Sequence, residues 1–172
     1  MAKYISDAIA NRRPPVTGDG AGEVLNAKYT CAVDASLALG DLILLGKLPA
    51  GHEPVSGFAY STDLDSSTGL VMTFGILNDA ATDIVSGADF LTTSTIGQSG
   101  AMAALDGKGG LNLTALNALA TTDVGTGGTV SAINGNAYVN GGDRVIVAKV
   151  TTAATGTKAA GTVGISINYK AV

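Results

Sequence analysis

The chain has 172 residues, a length that suits a single domain with one well-buried core. Its residues are 46% hydrophobic, only 5% aromatic and 14% charged, well below the ordinary quarter of charged residues. A net charge of −4 argues against nucleic acid as the main partner, and no window approaches the roughly 18 apolar residues that a spanning helix needs.

The apolar content is Ala, Val, Leu and Ile, with no Trp, and the 24 glycines follow no Gly-X-Y period. Among the 14 acids only Glu23 and Glu53 are glutamates. Aspartate prefers turns and caps, so this acid usage is that of a β-protein. The N-terminus has no continuous apolar run of a secretory signal. Cys31 is the one cysteine, which excludes an internal disulfide and fits synthesis in a reducing cytosol. A surface this poor in charge is expected to be covered by partners.

Residues 1–20 read as an extended N-terminal arm with a flexible connector, followed by one domain at 21–172. Tyr4, Ile5, Ala8 and Ile9 share a helical face, and Arg12-Arg13-Pro14-Pro15 stops the helix. The glycine-rich stretch Thr17-Gly-Asp-Gly-Ala-Gly22 follows as a hinge. A helix this short is marginal alone in water, so its apolar face predicts docking on something else. Lys3, Arg12 and Arg13 make the segment basic against the acidic remainder. Lys3, Tyr4, Ile5, Ile9, Arg12 and Arg13 are therefore the candidate partner-binding residues.

Strand patterning then begins. Tyr29, Cys31 and Val33 alternate with Lys28, Thr30 and Ala32, the first set facing inward. Two apolar runs within residues 40–62 meet at the corner Leu48-Pro49-Ala50-Gly51, where proline presets φ and glycine permits the bend. The opening phrase Gly40-Asp-Leu-Ile-Leu-Leu-Gly-Lys47 is echoed by Gly142-Asp-Arg-Val-Ile-Val-Ala-Lys149. Phe58, Tyr60, Thr62 and Leu64 share a face. After Asp63-Leu-Asp-Ser-Ser-Thr-Gly69, so do Leu70, Met72, Phe74 and Ile76, which predicts a hairpin over residues 55–77.

Between 78 and 120 the pattern loosens. Ser86 with Asp89 predicts a capped short helix with Phe90, Leu91 and Ile96 as its apolar members. Residues 106–110 read as a loop, and 111–120 as either a short helix or a strand. Residues 130–139 read as a bulged strand or two short strands. The run 144–152, apolar on both faces, predicts a central strand. Val163, Ile165, Ile167 and Tyr169 alternate in a last strand that ties the chain end into a sheet. About eight short strands with Gly-rich turns specify an all-β fold, a jelly-roll-like β-sandwich with one or two short helices in its loops.

No constellation carries reaction chemistry. His52 is the one histidine and lies at an expected exposed corner, while Cys31 sits mid-strand as a small hydrophobe. Closed zinc sites need several such ligands. The 63–69 turn places acids as a calcium loop begins, but its glycine comes late and no closing Glu follows, so a solvated hairpin tip is expected. Asp79 and Asp83 read as ordinary loop acids. Gly125-Thr-Gly-Gly128 lacks the Lys of a phosphate loop. The expectation is no catalytic, metal or cofactor residue and no enzyme activity.

The block Gly40-Asp-Leu-Ile-Leu-Leu-Gly-Lys-Leu-Pro-Ala-Gly-His-Glu-Pro-Val55, with Tyr60-Ser-Thr-Asp-Leu-Asp65, Phe74-Gly-Ile-Leu-Asn78, residues 90–100 and the stretch from Gly142 to Tyr169, resembles tailed-bacteriophage head decoration proteins of the capsid-stabilising (cement) type. The likeness covers about residues 40–172. It implies a jelly-roll sandwich, often a homotrimer, on the outer surface of the virion capsid, made in the host cytoplasm. It implies the major capsid protein as partner, with bridging of its subunits as the function, and no cofactor, membrane or direct nucleic acid. The alternative is a glycan- or receptor-binding jelly-roll module of a phage fibre or cell surface, which the scarcity of aromatics disfavours. A cupin-like enzyme would need several histidines.

Overall fold

The computed structural model describes residues 1–12, 16–17, 23–49, 52–78, 80–104 and 143–171. Within them the chain forms β1 (Lys3–Ile5), α1 (Asp7–Ala10), β2 (Val24–Val33), β3 (Leu42–Leu48), β4 (His52–Ser61), β5 (Val71–Leu77) and β6 (Ile84–Ser94). A 3-10 turn at Ile96–Gln98, β7 (Met102–Ala104), β8 (Arg144–Thr152) and β9 (Gly161–Ala171) complete the order. The expected loop at 106–110, the ambiguous 111–120, the glycine turn at 125–128, the strand at 130–139, the 18–22 hinge, Asp79 and the residues Arg13, Ala50 and Gly51 lie outside the described residues.

Strand pairing follows one rule. β2 pairs with β9, β3 with β8, β4 with β7 and β5 with β6, each antiparallel. Such nesting is a single long antiparallel ribbon, folded between β5 and β6 and then rolled up. Rolling brings β4 onto β9 and β5 onto β8, again antiparallel. The result is a four-stranded sheet in the order β2-β9-β4-β7 facing a five-stranded sheet in the order β1-β3-β8-β5-β6. This is a jelly-roll β-sandwich.

The hydrophobic pattern explains who sits where. β8 lies in the middle of the five-stranded sheet, as its two apolar faces predict, and β9 holds the chain end between β2 and β4. Ile43, Leu45, Phe74, Ile76, Ile146 and Ala148 from one sheet meet Cys31, Val33, Val163, Ile165 and Ile167 from the other. A second cluster covers the outer side of the five-stranded sheet, where Leu42, Leu44, Val145 and Val147 pack with Ile9, Leu77 and Ala81. β3 is buried on both faces for this reason. At Gly46 a bulge shifts the β3–β8 register, and the Tyr29 ring lies where a Cβ would be. Its hydroxyl donates to the Lys47 carbonyl at 2.8 Å.

Three expectations are corrected. The segment 55–77 is not a hairpin, because β4 and β5 belong to opposite sheets. Period-two alternation reports which side of a strand is buried, not which strand it pairs with. The helix expected at Ser86 is instead part of β6, an 11-residue strand paired to β5 through several bulges. Its β-branched Ile84, Val85, Thr92 and Thr93 favour that state.

The N-terminal segment is docked, but as a strand and a single turn and not as one helix. β1 adds to β3 as a parallel edge strand, with Lys3 opposite Leu42 and Ile5 opposite Leu44. Ser6 then caps the single turn α1: its Oγ accepts from the Ile9 amide and donates to the Leu45 carbonyl at 2.5 Å. Tyr4 packs on the main core and Ile9 on the second, on opposite sides of the same sheet. A strand followed by a turn mimics the helical spacing of these residues. Ile9 is fully buried whereas Ile5 is 45% exposed. Ile9→Ala is expected to cost about 3 kcal/mol in urea unfolding, and Ile5→Ala less than about 0.5 kcal/mol.

Candidate partner interface

The residues with nucleophilic or ligand chemistry are buried apart. Cys31 is almost inaccessible, and burial, with the charge of Asp7 adding to it, pushes its thiol up to about 11. His52 is buried as well, not exposed at its corner, and meets the Tyr169 ring edge-on at 5.7 Å. Cys31 pairs with Val163 and His52 with Ala171, eight residues away along β9. At about 3.3 Å per residue that separates them by about 26 Å, too far for a Cys-His pair. Among the described residues no group of three His, Cys, Asp or Glu is placed to hold a metal.

The 63–69 turn is not a solvated tip. Asp65 is fully buried. Its Oδ1 accepts from the Ser67 amide at 3.1 Å, the Ser67 hydroxyl at 2.9 Å and the Gly156 amide at 3.0 Å. Its Oδ2 accepts from the amides of Gly69 at 3.1 Å and Leu70 at 2.9 Å. Burial by itself would raise the carboxyl, but the Ser67, Leu70 and Gly156 donors outweigh it and hold it at about 2. These are N–H and O–H donors, whereas a calcium ion would need oxygen ligands. Asp65 is a structural knot that ties the turn to the loop before β9. Asp83 likewise has a structural partner, Lys149 at 2.7 Å, which holds its carboxyl below the usual range.

The candidate residues near the N-terminus divide. Tyr4 is half-buried and donates its hydroxyl to Asp34 at 2.9 Å, within a cluster that includes Ser36. The Ile9 side chain is in the core. Both are used internally, so neither offers a partner much surface. Lys3, Ile5 and Arg12 remain exposed, and Arg13 lies outside the described residues. Met1 and Leu39 are exposed at 69% and 63% beside the start of β1, where the Ala2 amide and the Ala38 amide both bind the Asp41 carboxylate. Among the described residues, exposed Met1, Lys3, Ile5, Leu39 and Arg12 thus lie at or near the β1 edge, with the exposed Asp7 among them.

A second exposed surface escaped the reading of the sequence. The outer face of the four-stranded sheet carries Asn26, Lys28 and Thr30 from β2, Ser166 and Asn168 from β9, Ser56, Phe58 and Tyr60 from β4, and Met102 from β7. Register places them in rows. Asn26 bonds Asn168, which bonds Ser56, at 2.8 Å each. In the row of Thr30, Gly164 and Tyr60, the Tyr60 ring lies over Gly164 and its hydroxyl meets the Thr30 hydroxyl at 2.6 Å. Lys28 sits 5.3 Å from the centre of that ring. The alternation of Phe58 and Tyr60 with Ala59 marks one shared face, and the pairing with β9 shows that Phe58 and Tyr60 lie on the outer one. At the sandwich's β6–β7 side a groove of about 480 Å³ runs between the sheets, lined by Leu91, Ile96, Met102 and the hydroxyl side chains Thr92, Thr93 and Ser99.

No family model and no curated protein matches the sequence. Two solved structures share the fold. A chain from the capsid of Ralstonia phage GP4 is similar with a TM-score of 0.69 at 22% identity, over 99% of this chain and 99% of that one. A chain from the cyanophage Pam1 capsid asymmetric unit is similar with a TM-score of 0.53 at 20% identity, over 95% of this chain and 96% of the other. The likeness is one of fold, and it runs nearly end to end.

Proposed function

We propose that the chain is a structural protein of a bacteriophage virion, which binds the outer surface of the capsid and stabilises it by bridging subunits of the major capsid protein. The observation that carries this reading is the fold shared along 99% of both chains with a constituent of a phage capsid. The surface chemistry supports it. The β1 edge and the four-stranded sheet are two separate apolar and basic surfaces, and a bridge needs two. A homotrimer is the assembly that the family resemblance implies, and adhesion, not catalysis, is the proposed activity.

The energetic logic is mass action. A ligand that binds only the assembled shell stabilises it by about 2.7 kcal/mol at 100 times its Kd. A glycan-binding role is less well supported, because sugar sites use open aromatic faces. Tyr60 has one ring face on Gly164 and Lys28 near its ring.

The test is addition of purified protein to shells of its own phage prepared without it. Saturable co-sedimentation and a higher temperature of DNA release are expected. Failure to bind, with shells equally resistant to heat and chelation either way, would sink the proposal. The doubly reversed variant Lys3→Glu/Arg12→Glu should lower occupancy about tenfold without unfolding the protein. These point changes are preferred to deleting residues 1–15, which would strip Ile9 from the second core.

A further inference from the structure

We propose that the outer face of the four-stranded sheet is a second docking surface, and that it takes an apolar patch of a neighbouring capsid subunit that presents a carboxylate to Lys28. This rests on the shell-binding reading and names the surface that reading leaves open.

The two sheets differ in what covers them. The five-stranded sheet has its outer side closed by Ile9, Ala81 and the second core. Among the described residues none packs over the outer side of the four-stranded sheet. Of the eight large hydrophobic residues exposed among the described residues, register places three on this face, Val24, Phe58 and Met102, at 56%, 38% and 70%, and Val55, at 40%, sits at the β4 bulge beside them. That concentration is not the single scatter normal for a surface.

Charge indicates the partner's chemistry. The chain is acidic overall, with a net charge of −4. On this face Lys28 is exposed, and among the described residues no carboxylate pairs with it. The Tyr60 ring orients its ammonium instead. An oriented, unneutralised cation beside apolar side chains fits a carboxylate at the rim of an apolar patch. The face is also pre-ordered. The Asn26–Asn168–Ser56 ladder and the Thr30–Tyr60 bond fix side chains before any partner arrives, which reduces the entropy lost on docking.

Size argues for a shell subunit over a second copy of this chain. Three strands about 4.8 Å apart paired over about 30 Å, with the short β7 beside them, give about 500 Å². A stable pair buries about 800 Å² per partner. The face falls short of a stand-alone interface, and it suffices as one of several contacts on a lattice, where linked contacts reinforce each other.

The experiment compares the wild type, Phe58→Asp/Met102→Asp, Lys28→Glu and Lys28→Arg for occupancy on depleted shells. The double variant and Lys28→Glu are expected to lose at least tenfold, and Lys28→Arg to bind within about twofold of wild type. Hydrogen exchange on the wild type should slow in β4 and β7 on shell binding, which keeps the proposal testable if a variant misfolds. Full binding by both charge-altering variants, or unchanged exchange in β4 and β7, would overturn the docking face and leave the shell-binding reading standing. Failure of the wild type to bind would overturn both. A wild-type oligomer that the double variant converts to monomer would assign the face to a second copy, and binding of a capsular polysaccharide lost only in the double variant would assign it to glycan. Either result overturns the proposal.

Discussion

Asp65→Asn will lower the Tm by about 10 °C, nearly as much as Asp65→Ala, because each variant strands several donors, the buried Leu70 amide among them, that converge on a fully buried carboxylate. An amide usually replaces a carboxylate at little cost, since one oxygen is kept. Here Oδ1 accepts three donors and Oδ2 two, so neither oxygen can become an NH₂ group without facing donors head-on. The bonds also join residues far apart in sequence, the 65–70 turn and Gly156. Their loss frees the loop that precedes β9 as well as the turn that leads into β5.

The same geometry sets an acid limb. The carboxyl of Asp65 titrates at about 2 in the folded protein, below its ordinary 3.8. The unfolded chain therefore takes up the proton first as pH falls. The contribution of Asp65 is fully present above about pH 4 and disappears as pH drops through about 2. Denaturation curves between pH 5 and 2 should show the wild type losing stability more steeply than Asp65→Asn. Parallel curves would refute the assignment.

Arg144→Met will cost about 3 kcal/mol, because it removes a buried cation from two carbonyls that no other described side chain serves. Arg144 is fully buried at the start of β8, and its Nη2 donates to the carbonyls of Pro49 at 3.0 Å and His52 at 2.7 Å. Burial lowers its guanidinium to about 10, and the nearby Asp143 counters part of that shift, so it stays charged at neutral pH. The two carbonyls flank the corner by which the chain leaves one sheet for the other. Without the guanidinium the His52 carbonyl loses its 2.7 Å donor, and the Pro49 carbonyl keeps only the His52 amide at 3.3 Å. Urea unfolding should show the loss. Hydrogen exchange in the wild type against the variant should show faster opening at the start of β4. Arg12→Met, at an exposed position, should change stability by less than about 0.5 kcal/mol.

These two knots explain how a jelly roll with few large side chains is held in register. Rolling a ribbon requires the chain to pass repeatedly between sheets, and each passage exposes backbone groups that no ladder satisfies. Arg144 satisfies them at the β3–β4 passage and Asp65 at the β4–β5 passage. Both side chains are committed to backbone groups at these passages.

Much of the architecture was legible in local pattern. Alternation at Val163, Ile165, Ile167 and Tyr169 marked a one-sided strand, and the two-faced run at 144–152 marked a central one. Proline and glycine at the 48–51 corner marked a change of direction. These are readings of burial along a single strand, which depends only on nearest neighbours in sequence.

What needed the tertiary structure was every choice among partners. Nothing in the alternation of Phe58 and Tyr60 states whether that face is inside or out, because a one-residue shift at the bulge between Pro54 and Ser56 inverts it. Nothing local tells β4 to pair with β9 in preference to β5. Tyr4 and Ile9 suit a docked helix and a strand-then-turn equally, until the open edge of β3 selects the second. Sequence marked most of the buried apolar positions, though not the buried His52 or Asp65, and showed that the chain builds sheets. Long-range hydrogen bonding decided which sheet, which face and which surface remains for a partner, because those energies exist only once residues a hundred positions apart have met.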